Sequence, residues 1–378
     1  EYELKKLNKN ELNKKIKQND FEGNIYKKTF ELIEKNYDLL QEAKPKVSKN
    51  SAGYYLWNVY DKDKEIFDLT KLFVGAQGTL GLVTQAQIGL VPVKKHAEMM
   101  ILFLHDITHL GEIINIVLPL KPDTFEAYDD NTLKLALKYF PEFAKLLGTK
   151  GTIRTALAFL PEFIMTITGG LPKLILQVDF QSDDMEELNS KIKQLKEALK
   201  PLHPKTRVAD NETKELKYWL IRRESFNLLR QKIHDKHTAP FIDDFVVSPE
   251  YLPEFLPKLN SILKKYPSLI STLAGHVGDG NFHIIPLMNI EDPKQRAIIP
   301  VLEKEVYDLV LSYHGSITGE HNDGLIRTPF LKQMYGDKVY KLFEEVKKIF
   351  DPNDIFNPRK KVGATVDFAM NHIRTSFT

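Results

Sequence analysis

Side chains that can bind a metal or move a proton stand in two glycine-rich segments near the C-terminal end of the chain. The segments are GHVGDGNFH at 275–283 and GEHNDG at 319–324. His276, His283 and Glu320 offer nitrogen and oxygen ligands that suit a divalent cation such as zinc, manganese or iron. His321 then remains to accept or donate a proton.

The spacing of the two histidines also allows a simpler interpretation. His276 and His283 are seven residues apart, which is not one of the compact zinc signatures, and alone this spacing favours ordinary loop residues. The second segment, in which Glu320 stands next to His321, makes a ligand-binding site the favoured interpretation over ordinary loop residues. Glycines beside such side chains let the backbone approach a ligand closely.

The elements that must position the histidines are two strands. Apolar runs at Leu269–Ala274 and Phe282–Leu287 flank the Asp279-Gly280 turn. Apolar runs separated by Asp-Gly predict a strand, a tight turn and a second strand. Such a hairpin can bring the two imidazoles together.

Composition limits the class of protein. The length of 378 residues predicts two domains, or one domain with a large insertion, and 42% hydrophobic residues suffice for a sizeable core. The net charge of +2 argues against nucleic acid as a partner, and the absence of cysteine excludes disulfides and thiolate sites. A reducing cytoplasm fits this composition. The most apolar region, at 156–178, is interrupted by Pro, Gly and charged residues, so we expect no membrane span.

A third glycine-rich segment lies upstream. The spacing predicts a strand at Leu72–Val74, glycines at positions 75, 78 and 81, and a period-two strand over Leu82–Leu90. Main-chain N–H groups of such a loop can face a planar or phosphorylated group, although a tight hairpin explains the glycines equally well. It is not the dinucleotide fingerprint, because no helix follows.

Elsewhere strands alternate with single helices, which predicts an α+β layer with helices on one face of a mainly antiparallel sheet. Asn10 is expected to cap a helix that ends near Gln18, and the tail from Ala364 to be weakly structured. Strands are predicted at 99–104, 123–127, 173–180, 206–209 and 241–247, and helices at 108–117, 184–199, 213–232, 249–266, 327–335 and 338–350, with further helical stretches to 147 and over 153–167.

Arg222 and Arg223 are adjacent on one of these predicted helices. An arginine can grip a carboxylate with two hydrogen bonds, whereas a surface helix with salt bridges is the simpler interpretation of the pair in isolation.

Four segments occur in an order that resembles a known family. They are GAQGTLGLVT at 75–84, the two histidine segments, and FDPNDIFNP at 350–358. Together they resemble the FAD-linked oxidases of the vanillyl-alcohol-oxidase superfamily, in particular the D-lactate, glycolate and D-2-hydroxyglutarate dehydrogenases. The resemblance extends from Pro45 to Gly363.

The resemblance implies an α+β fold with two parts. Residues 1–92 would be the C-terminal half of a vanillyl-alcohol-oxidase-type FAD-binding domain, and 93–340 an α+β cap domain with a metal site and a mainly antiparallel sheet. Residues 341–363 would return to the FAD domain and 364–378 form a tail. The family's pyrophosphate-binding glycine loop has no counterpart here, and the sequence opens with Glu inside a strand-like pattern. We therefore expect that the natural N-terminus lies upstream and that this chain binds FAD poorly or not at all.

The resemblance also implies residue roles. His276, His283 and Glu320 would bind the divalent metal, and His321 would take the hydroxyl proton as hydride passes to FAD. Arg222, or Arg223 in its place, would bind the substrate carboxylate. Residues expected to face or support the flavin are Tyr54, Gly75, Gln77, Gly78, Thr79, Gly81, Val83 and Asn357.

Three residues depart from the family pattern, of which Gln77 concerns the edge of the flavin and the other two concern specificity. Gln77 stands where an acidic residue is common, Ile285 where hydroxyglutarate enzymes carry Asn, and Ile242 where they carry Lys. Both isoleucines remove a partner for a second carboxylate. The sequence therefore favours a monocarboxylate such as D-lactate or glycolate.

The resulting interpretation is a flavin-dependent D-2-hydroxyacid dehydrogenase. Its partners would be the hydroxyacid and an electron acceptor, namely a quinone, a cytochrome or an electron-transfer protein. We expect a cytoplasmic location, with peripheral association at the inner face of the membrane if the acceptor is a quinone. The alternatives are a metal-dependent hydrolase without flavin, and a redox-neutral or non-catalytic flavoprotein of the same fold.

Overall fold

A computed structural model describes residues 1–138, 170–209, 214–216, 218–222 and 236–376. Packing divides the chain into two units, which are described separately. The first unit combines Glu1–Gly89 with the chain from His314 onward, and the second is Leu90–Tyr313. The domain boundaries predicted at residues 92, 340 and 363 remain predictions. The helical stretch predicted over 153–167 lies outside the described residues, as does most of the stretch predicted to end near 147.

The chain begins with short elements. These are β1 (Lys6–Leu7), α1 (Lys9–Ile16), α2 (Phe21–Lys35), α3 (Tyr37–Ala43), β2 (Tyr60–Asp61), β3 (Ile66–Asp68) and α4 (Thr70–Phe73). The cap predicted at Asn10 is wrong, because Asn8 caps α1. The Asn8 side chain accepts hydrogen bonds from the N–H groups of Asn10 and Glu11, and Glu11 bonds back to the Asn8 N–H. This reciprocal capping box fixes the start of the helix.

Two strands predicted around the upstream glycines are corrected. Leu72–Val74 is not a strand, because residues 70–73 form α4, where the Asp68 carboxylate accepts from the Thr70 N–H and hydroxyl groups. Leu82–Leu90 carries no strand pairing among the described residues, and its apolar side chains are exposed, Leu90 to 88%. A period-two pattern forms a strand only where a partner strand accepts it.

The second unit contains the main sheet. Its strands are β4 (His96–Leu104), β5 (Thr124–Asp129), β6 (Leu174–Ser182), β7 (Lys205–Ala209), β8 (His237–Thr238), β9 (Phe245–Val246), β10 (Leu273–His276), β11 (Asn281–Ile284) and β12 (Leu287–Met288). Seven of them form one sheet in the order β7-β4-β6-β5-β10-β11-β9. Every strand pair in this sheet is antiparallel. The predicted mainly antiparallel sheet is confirmed, although the strand predicted over Phe241–Val247 shortens to Phe245–Val246.

The second unit also contains helices. They are α5 (Leu110–Val117), α6 (Asp130–Lys138), α7 (Met185–Leu199), α8 (Leu252–Leu263), α9 (Pro293–Arg296) and α10 (Ile298–Ser312). Helix α7 packs against β4 and β6 through buried residues at i, i+4 and i+7 spacing, namely Leu188, Ile192 and Leu195. Asp184 caps α7 by accepting from the Glu186 N–H. The predicted helix over 184–199 is therefore confirmed to within its cap residue.

The returning chain completes the first unit with α11 (Gly324–Arg327), α12 (Leu331–Phe350) and α13 (Val366–Asn371). The two helices predicted at 327–335 and 338–350 are confirmed in part, because α12 consists of two helical segments separated by a kink at Gly336, whose φ of 75° is not helical. Phe343 of α12 packs against Tyr54 in the core of the unit. The tail is more structured than expected, because Thr365 caps α13. Within the described ranges, the helices are too short or too polar to cross a membrane.

Candidate functional site

The histidine hairpin forms as predicted. Strands β10 and β11 pair with His276 opposite Asn281 and Ala274 opposite His283. Side chains two residues apart on a strand share a face, so this register places both imidazoles on the same side. Their ring centroids are 5.5 Å apart, with the planes at 88°. The predicted proximity of His276 and His283 is therefore confirmed.

Glycine is required in the turn of this hairpin. Gly280 has a φ of +66°, and a Cβ placed there would lie 1.7 Å from the Val247 carbonyl oxygen. Gly275 is equally confined, because a Cβ would lie 2.2 Å from the Asn281 carbonyl oxygen. The backbone approaches closely at both positions, and this fixes the direction in which the two imidazoles point.

Each imidazole is held by a buried carboxylate. His276 Nδ1 lies 2.8 Å from Glu126 Oε1, and His283 Nδ1 lies 3.1 Å from Asp243 Oδ1. An ionised carboxylate only accepts hydrogen bonds, so both Nδ1–H groups donate, and the lone pair of a neutral ring is then on Nε2. Proteins orient metal-binding histidines in this way. The pair is therefore prepared to offer two Nε2 ligands to a cation.

Asp244, the residue that precedes β9, supports the same hairpin. Its side chain is fully buried, and Oδ1 accepts a hydrogen bond from Asn281 Nδ2 at 3.1 Å. Asp244 has a left-handed φ of 74°, a conformation that costs free energy unless the surroundings enforce it. The adjacent Asp243 and Asp244 thus contact two different residues of β11.

Arg222 joins this cluster through Glu126. Its Nη2 lies 2.6 Å from Glu126 Oε2, and the Glu126 side chain is only 5% exposed. The contact is an ion pair and not an aligned hydrogen bond, and Arg222 Nε is a buried donor without a hydrogen-bond partner among the described residues. An unsatisfied buried donor is costly, and a bound carboxylate would satisfy it. Arg223, the other predicted substrate residue, lies outside the described residues.

Glu320 and His321 belong to the first unit, whereas the two histidines belong to the second. The predicted meeting of His276, His283 and Glu320 around a cation therefore stays a prediction. Glu320 Oε1 forms an ion pair with Lys49 Nζ at 2.6 Å, and His321 is exposed.

A buried lysine fixes the loop that carries Glu320 and His321. Lys361 is fully buried, and its Nζ lies 2.8–2.9 Å from the carbonyl oxygens of Ser51 and Gly53, from Asn322 Oδ1 and from Asp323 Oδ2. Burial lowers the pKa of the Lys361 ammonium, and Asp323 opposes that change. The loop at 319–324 is thus tied to the segment at 51–53.

The upstream glycine loop at 75–81 is held from two sides. Gln77 Oε1 accepts from the Gly324 N–H at 3.0 Å, and Asn357 Nδ2 donates to the Gln77 carbonyl oxygen at 2.6 Å. Buried Lys347 donates to the carbonyl oxygens of Thr79 and Phe356, and pairs with Asp351. These bonds connect three of the segments that the sequence singles out.

The predicted cofactor residues differ in exposure. Tyr54 and Thr79 are buried against each other, with their hydroxyl oxygens 2.7 Å apart, and burial raises the pKa of the Tyr54 hydroxyl well above its ordinary value. In contrast, a Cβ at Gly78 would meet nothing within 4 Å, and Val83 is 63% exposed. Tyr54 and Thr79 therefore support the loop at 75–81 from its buried side, whereas Gly78 faces open space.

Several supporting residues are absent from the predicted set: Lys49, Glu126, Asp243, Asp244, Lys347 and Lys361. Some of them carry a weak signal in the sequence, because Glu126 lies inside the apolar run TFEAY and the two aspartates inside FIDDFVV. A buried charge in an apolar strand needs a partner, so these carboxylates within apolar runs indicate buried ion pairs or hydrogen bonds.

Comparison with known proteins identifies the family. Residues 94–361 match FAD linked oxidases, C-terminal domain. The chain belongs to this family. The chain is 26% identical over 342 residues to a D-2-hydroxyglutarate dehydrogenase of Pseudomonas putida, and the match covers 89% of the chain and 32% of that relative. It is 26% identical to the glycolate oxidase subunit GlcD of Bacillus subtilis, over 87% of the chain and 62% of GlcD.

A third relative is the mitochondrial D-lactate dehydrogenase [cytochrome] of Arabidopsis thaliana, which is 23% identical over 88% of this chain and 52% of that protein. The chain thus spans from a third to about three fifths of the length of these relatives. Among solved structures, 4-ethylphenol oxidase from Gulosibacter chungangensis matches with a TM-score of 0.53 at 14% identity, over 73% of this chain and 55% of that one. Alkyldihydroxyacetonephosphate synthase matches with a TM-score of 0.52 at 15% identity, over 78% and 51% of the two chains. The predicted α+β fold of the vanillyl-alcohol-oxidase type is confirmed.

Proposed function

We propose that the chain is the substrate-binding part of a flavin-dependent dehydrogenase that oxidises a D-2-hydroxyacid to the 2-oxoacid. The observation that carries this proposal is the histidine pair, in which two neighbouring imidazoles each donate Nδ1–H to a buried carboxylate. Membership of the FAD-linked oxidases supports the redox class. It also speaks against the alternative of a hydrolase without flavin.

The donor set fits a divalent cation. His276 and His283 would bind it through Nε2, and Glu320 would supply an oxygen, as the family resemblance implies. Zinc, manganese and iron all accept such a mixed set. When bound, the cation would lower the pKa of the substrate hydroxyl. His321, exposed on its glycine-rich loop, is the residue to which we assign acceptance of the hydroxyl proton.

Arg222 is assigned to the substrate carboxylate. Its side chain is 16% exposed, Glu126 engages only Nη2, and the buried Nε has no hydrogen-bond partner in the part of the chain that the structure describes. Planar guanidinium groups bind carboxylates through two parallel N–H donors. The contacts of Glu126 with both Arg222 and His276 support a carboxylate site next to the proposed metal ligands.

The substrate is proposed to be a monocarboxylate such as D-lactate or glycolate. The relatives' names include hydroxyglutarate, glycolate and lactate, so they do not decide between these acids. Ile285 follows β11 two residues after His283 and is partly exposed, and it offers no polar group to a second carboxylate. Ile242 is fully buried, so its side chain also provides no such group.

The flavin would be held on its ring side by the loop at 75–81, where Gly78 borders open space. Bound FAD would accept the hydride, and the protein's task is to orient it. We keep the prediction that the 378-residue chain alone binds FAD poorly or not at all. One relative is named for a cytochrome, and we propose a cytochrome, a quinone or an electron-transfer protein as acceptor.

The test uses the protein extended at its N-terminus to the length of GlcD. D-Hydroxyacids are screened anaerobically by bleaching of the flavin absorbance, and D-lactate or glycolate is expected to bleach it faster than D-2-hydroxyglutarate. His321→Ala should abolish reduction and leave FAD binding intact. His109→Ala, an exposed histidine on another element, is the control. Reduction of the His321→Ala flavin at the wild-type rate would exclude the assigned role.

A further inference from the structure

The carboxylate of Glu126 contacts two residues with different proposed tasks. One oxygen accepts from His276 Nδ1 at 2.8 Å, and the other pairs with Arg222 Nη2 at 2.6 Å. Resting on the proposed function, we propose that Glu126 is a positioning residue that sets the tautomer of His276 and orients Arg222 at the same time. The metal ligand and the carboxylate-binding arginine would then share one support.

The sheet explains why residue 126 is placed to do this. Strands β5 and β10 pair with Gly275 opposite Ala127 and Ala274 opposite Tyr128. Continuing this register by one residue puts His276 opposite Glu126. Residues directly opposite in an antiparallel pair have Cβ atoms about 4.5–5.5 Å apart, which is within reach of a glutamate and an imidazole. The contact is therefore fixed by strand pairing and does not depend on a mobile loop.

The need for a carboxylate follows from counting acceptors. A guanidinium has donors only, so Arg222 requires an acceptor. His276 also requires one, because its Nδ1 must be protonated if Nε2 is to bind a metal. Only a carboxylate offers an acceptor oxygen to each partner. An amide has one oxygen and one NH2 group, and the two partners lie on different oxygens of Glu126, so a glutamine in the same orientation presents its NH2 group to one of them.

This asymmetry predicts a specific change of tautomer. In Glu126→Gln the amide oxygen should turn to the charged Arg222, which leaves the NH2 group facing His276. The imidazole must then accept at Nδ1 and carry its proton on Nε2, which removes the lone pair offered to the metal. His283 depends on Asp243 and should keep its Nδ1–H. The effect should thus be confined to one of the two rings.

A double variant supplies a rescue. In Glu126→Gln with Arg222→Met, the cation that competes for the amide oxygen is absent. The oxygen is then free to accept from His276, and the Nδ1–H tautomer should return. A role of Glu126 in stability alone predicts no such return. The matched control is Asp179→Asn, which removes another buried carboxylate of the same sheet, on β6.

The tautomers are measured on the 378-residue chain by NMR of ¹⁵N-labelled histidine, at a pH at which the imidazoles are neutral. We expect wild type, Asp179→Asn and the double variant to show Nδ1–H at His276, and Glu126→Gln to show Nε2–H. A zinc titration of the same proteins should show affinity about 10–100-fold weaker for Glu126→Gln alone, since carboxylates behind metal-binding histidines contribute effects of this size. Zinc binding by Asp179→Asn should match the wild type.

The contribution through Arg222 is measured in the N-terminally extended enzyme. In Glu126→Gln the arginine keeps an acceptor oxygen but loses its ion pair, so the guanidinium is held less firmly. KM for the hydroxyacid should therefore rise more than kcat falls at saturating metal. If Glu126→Gln keeps both the Nδ1–H tautomer and the wild-type zinc affinity, the positioning role is wrong. A tautomer switch in a protein whose flavin no hydroxyacid reduces would support Glu126 and overturn the proposed function. If Glu126→Gln does not fold, the double variant decides. The positioning role then requires that Glu126→Gln with Arg222→Met folds and shows Nδ1–H at His276, and either failure contradicts it.

Discussion

The support of the loop at 319–324 gives a direct test of how a buried charge positions a site. Lys361→Met removes an ammonium whose Nζ lies within 2.9 Å of the acceptors of Ser51, Gly53, Asn322 and Asp323. Methionine has a similar length and no charge, so the change removes the polar contacts and leaves most of the volume. Asp323, itself fully buried, loses its cationic partner.

The size of the effect follows from what is left unpaired. Breaking a buried ion pair by removal of one partner typically costs about 3–5 kcal/mol, because the remaining charge is uncompensated. Asp323 keeps one hydrogen bond, from the Gly53 N–H at 2.9 Å, which moderates the loss. We therefore expect Lys361→Met to lower the free energy of unfolding of the first unit by ~3 kcal/mol. Neutralising both partners in Lys361→Met/Asp323→Asn should recover ~1–2 kcal/mol of this loss.

The assay can be confined to the first unit. The protein has two tryptophans, of which Trp57 is buried in the first unit and Trp219 lies in the second. In a Trp219→Phe background, the fluorescence of Trp57 during urea unfolding reports the first unit alone. Lys360→Met is the matched control, since the neighbouring Lys360 donates to the Pro358 carbonyl oxygen at an exposed position. It should change the free energy of unfolding by less than about 0.5 kcal/mol.

The same variants connect stability to the proposed function. If Lys361 fixes the loop of Glu320 and His321, flavin reduction in the extended enzyme should fall about 10–100-fold in Lys361→Met, since small displacements of catalytic groups have effects of this size. A loss below ~1 kcal/mol, or a double variant no more stable than Lys361→Met, would show that the ammonium and carboxylate are not coupled.

Three further changes test other parts of the structure. Gly280→Ala should abolish zinc binding and lower the melting temperature, because its Cβ would lie 1.7 Å from the Val247 carbonyl oxygen; wild-type zinc affinity would contradict this close approach of the two backbone segments. Burial raises the pKa of Asp129 to about 6 from its ordinary 3.8, so the folded state binds the carboxyl proton of Asp129 more tightly than the unfolded state does. The stabilisation from this bound proton is therefore lost as the pH rises between these two values. Asp129→Asn should therefore raise the free energy of unfolding by up to ~3 kcal/mol at pH 7 and hardly at pH 4, and equal gains in urea unfolding at both values would refute this. Asn357→Ala should speed amide hydrogen exchange in the loop at 75–81, because its side chain holds the Gln77 carbonyl oxygen, and unchanged exchange would show that the other contacts suffice.

The elements that could be predicted are those with a local signal. The histidine hairpin has apolar runs on both sides of Asp279-Gly280, and α7 has buried residues at helical spacing behind the cap of Asp184. In both cases the pattern, the cap or turn residue and the burial agree. Agreement between local preference and tertiary packing makes such elements readable from sequence.

The two strands that were predicted wrongly depended on information outside their own residues. A short apolar run such as Leu72–Val74 fits a strand or a buried helical turn, and here the hydrogen bonds from Thr70 to the Asp68 carboxylate hold the first residue of a helical turn. The alternation over Leu82–Leu90 is that of a strand, but no described strand pairs with it. Pairing is a property of two segments, so one segment cannot establish it.

The supports of the site were missed for the same reason. Glu126 and His276 are 150 residues apart, and Lys361 and Ser51 are 310 apart. The family resemblance supplies the proposed ligands and the proposed base, but it does not supply the residues behind them. These contacts arise from strand register and loop packing, which a single sequence does not encode in any local spacing.

The buried charges behind the loop at 319–324 are better explained by a positioning role than by a contribution to stability. Replacing a buried ion pair with well-packed apolar residues is often neutral or stabilising. Stability alone therefore does not explain the presence of Lys361 and Asp323. Lys361 also bonds to two backbone carbonyl groups and to Asn322, which an apolar residue cannot do. Lys361→Met with Asp323→Leu should thus approach wild-type stability more closely than Lys361→Met and still leave the 319–324 loop free to move. A protein that is stable and yet unable to hold His321 would separate the two roles of this ion pair.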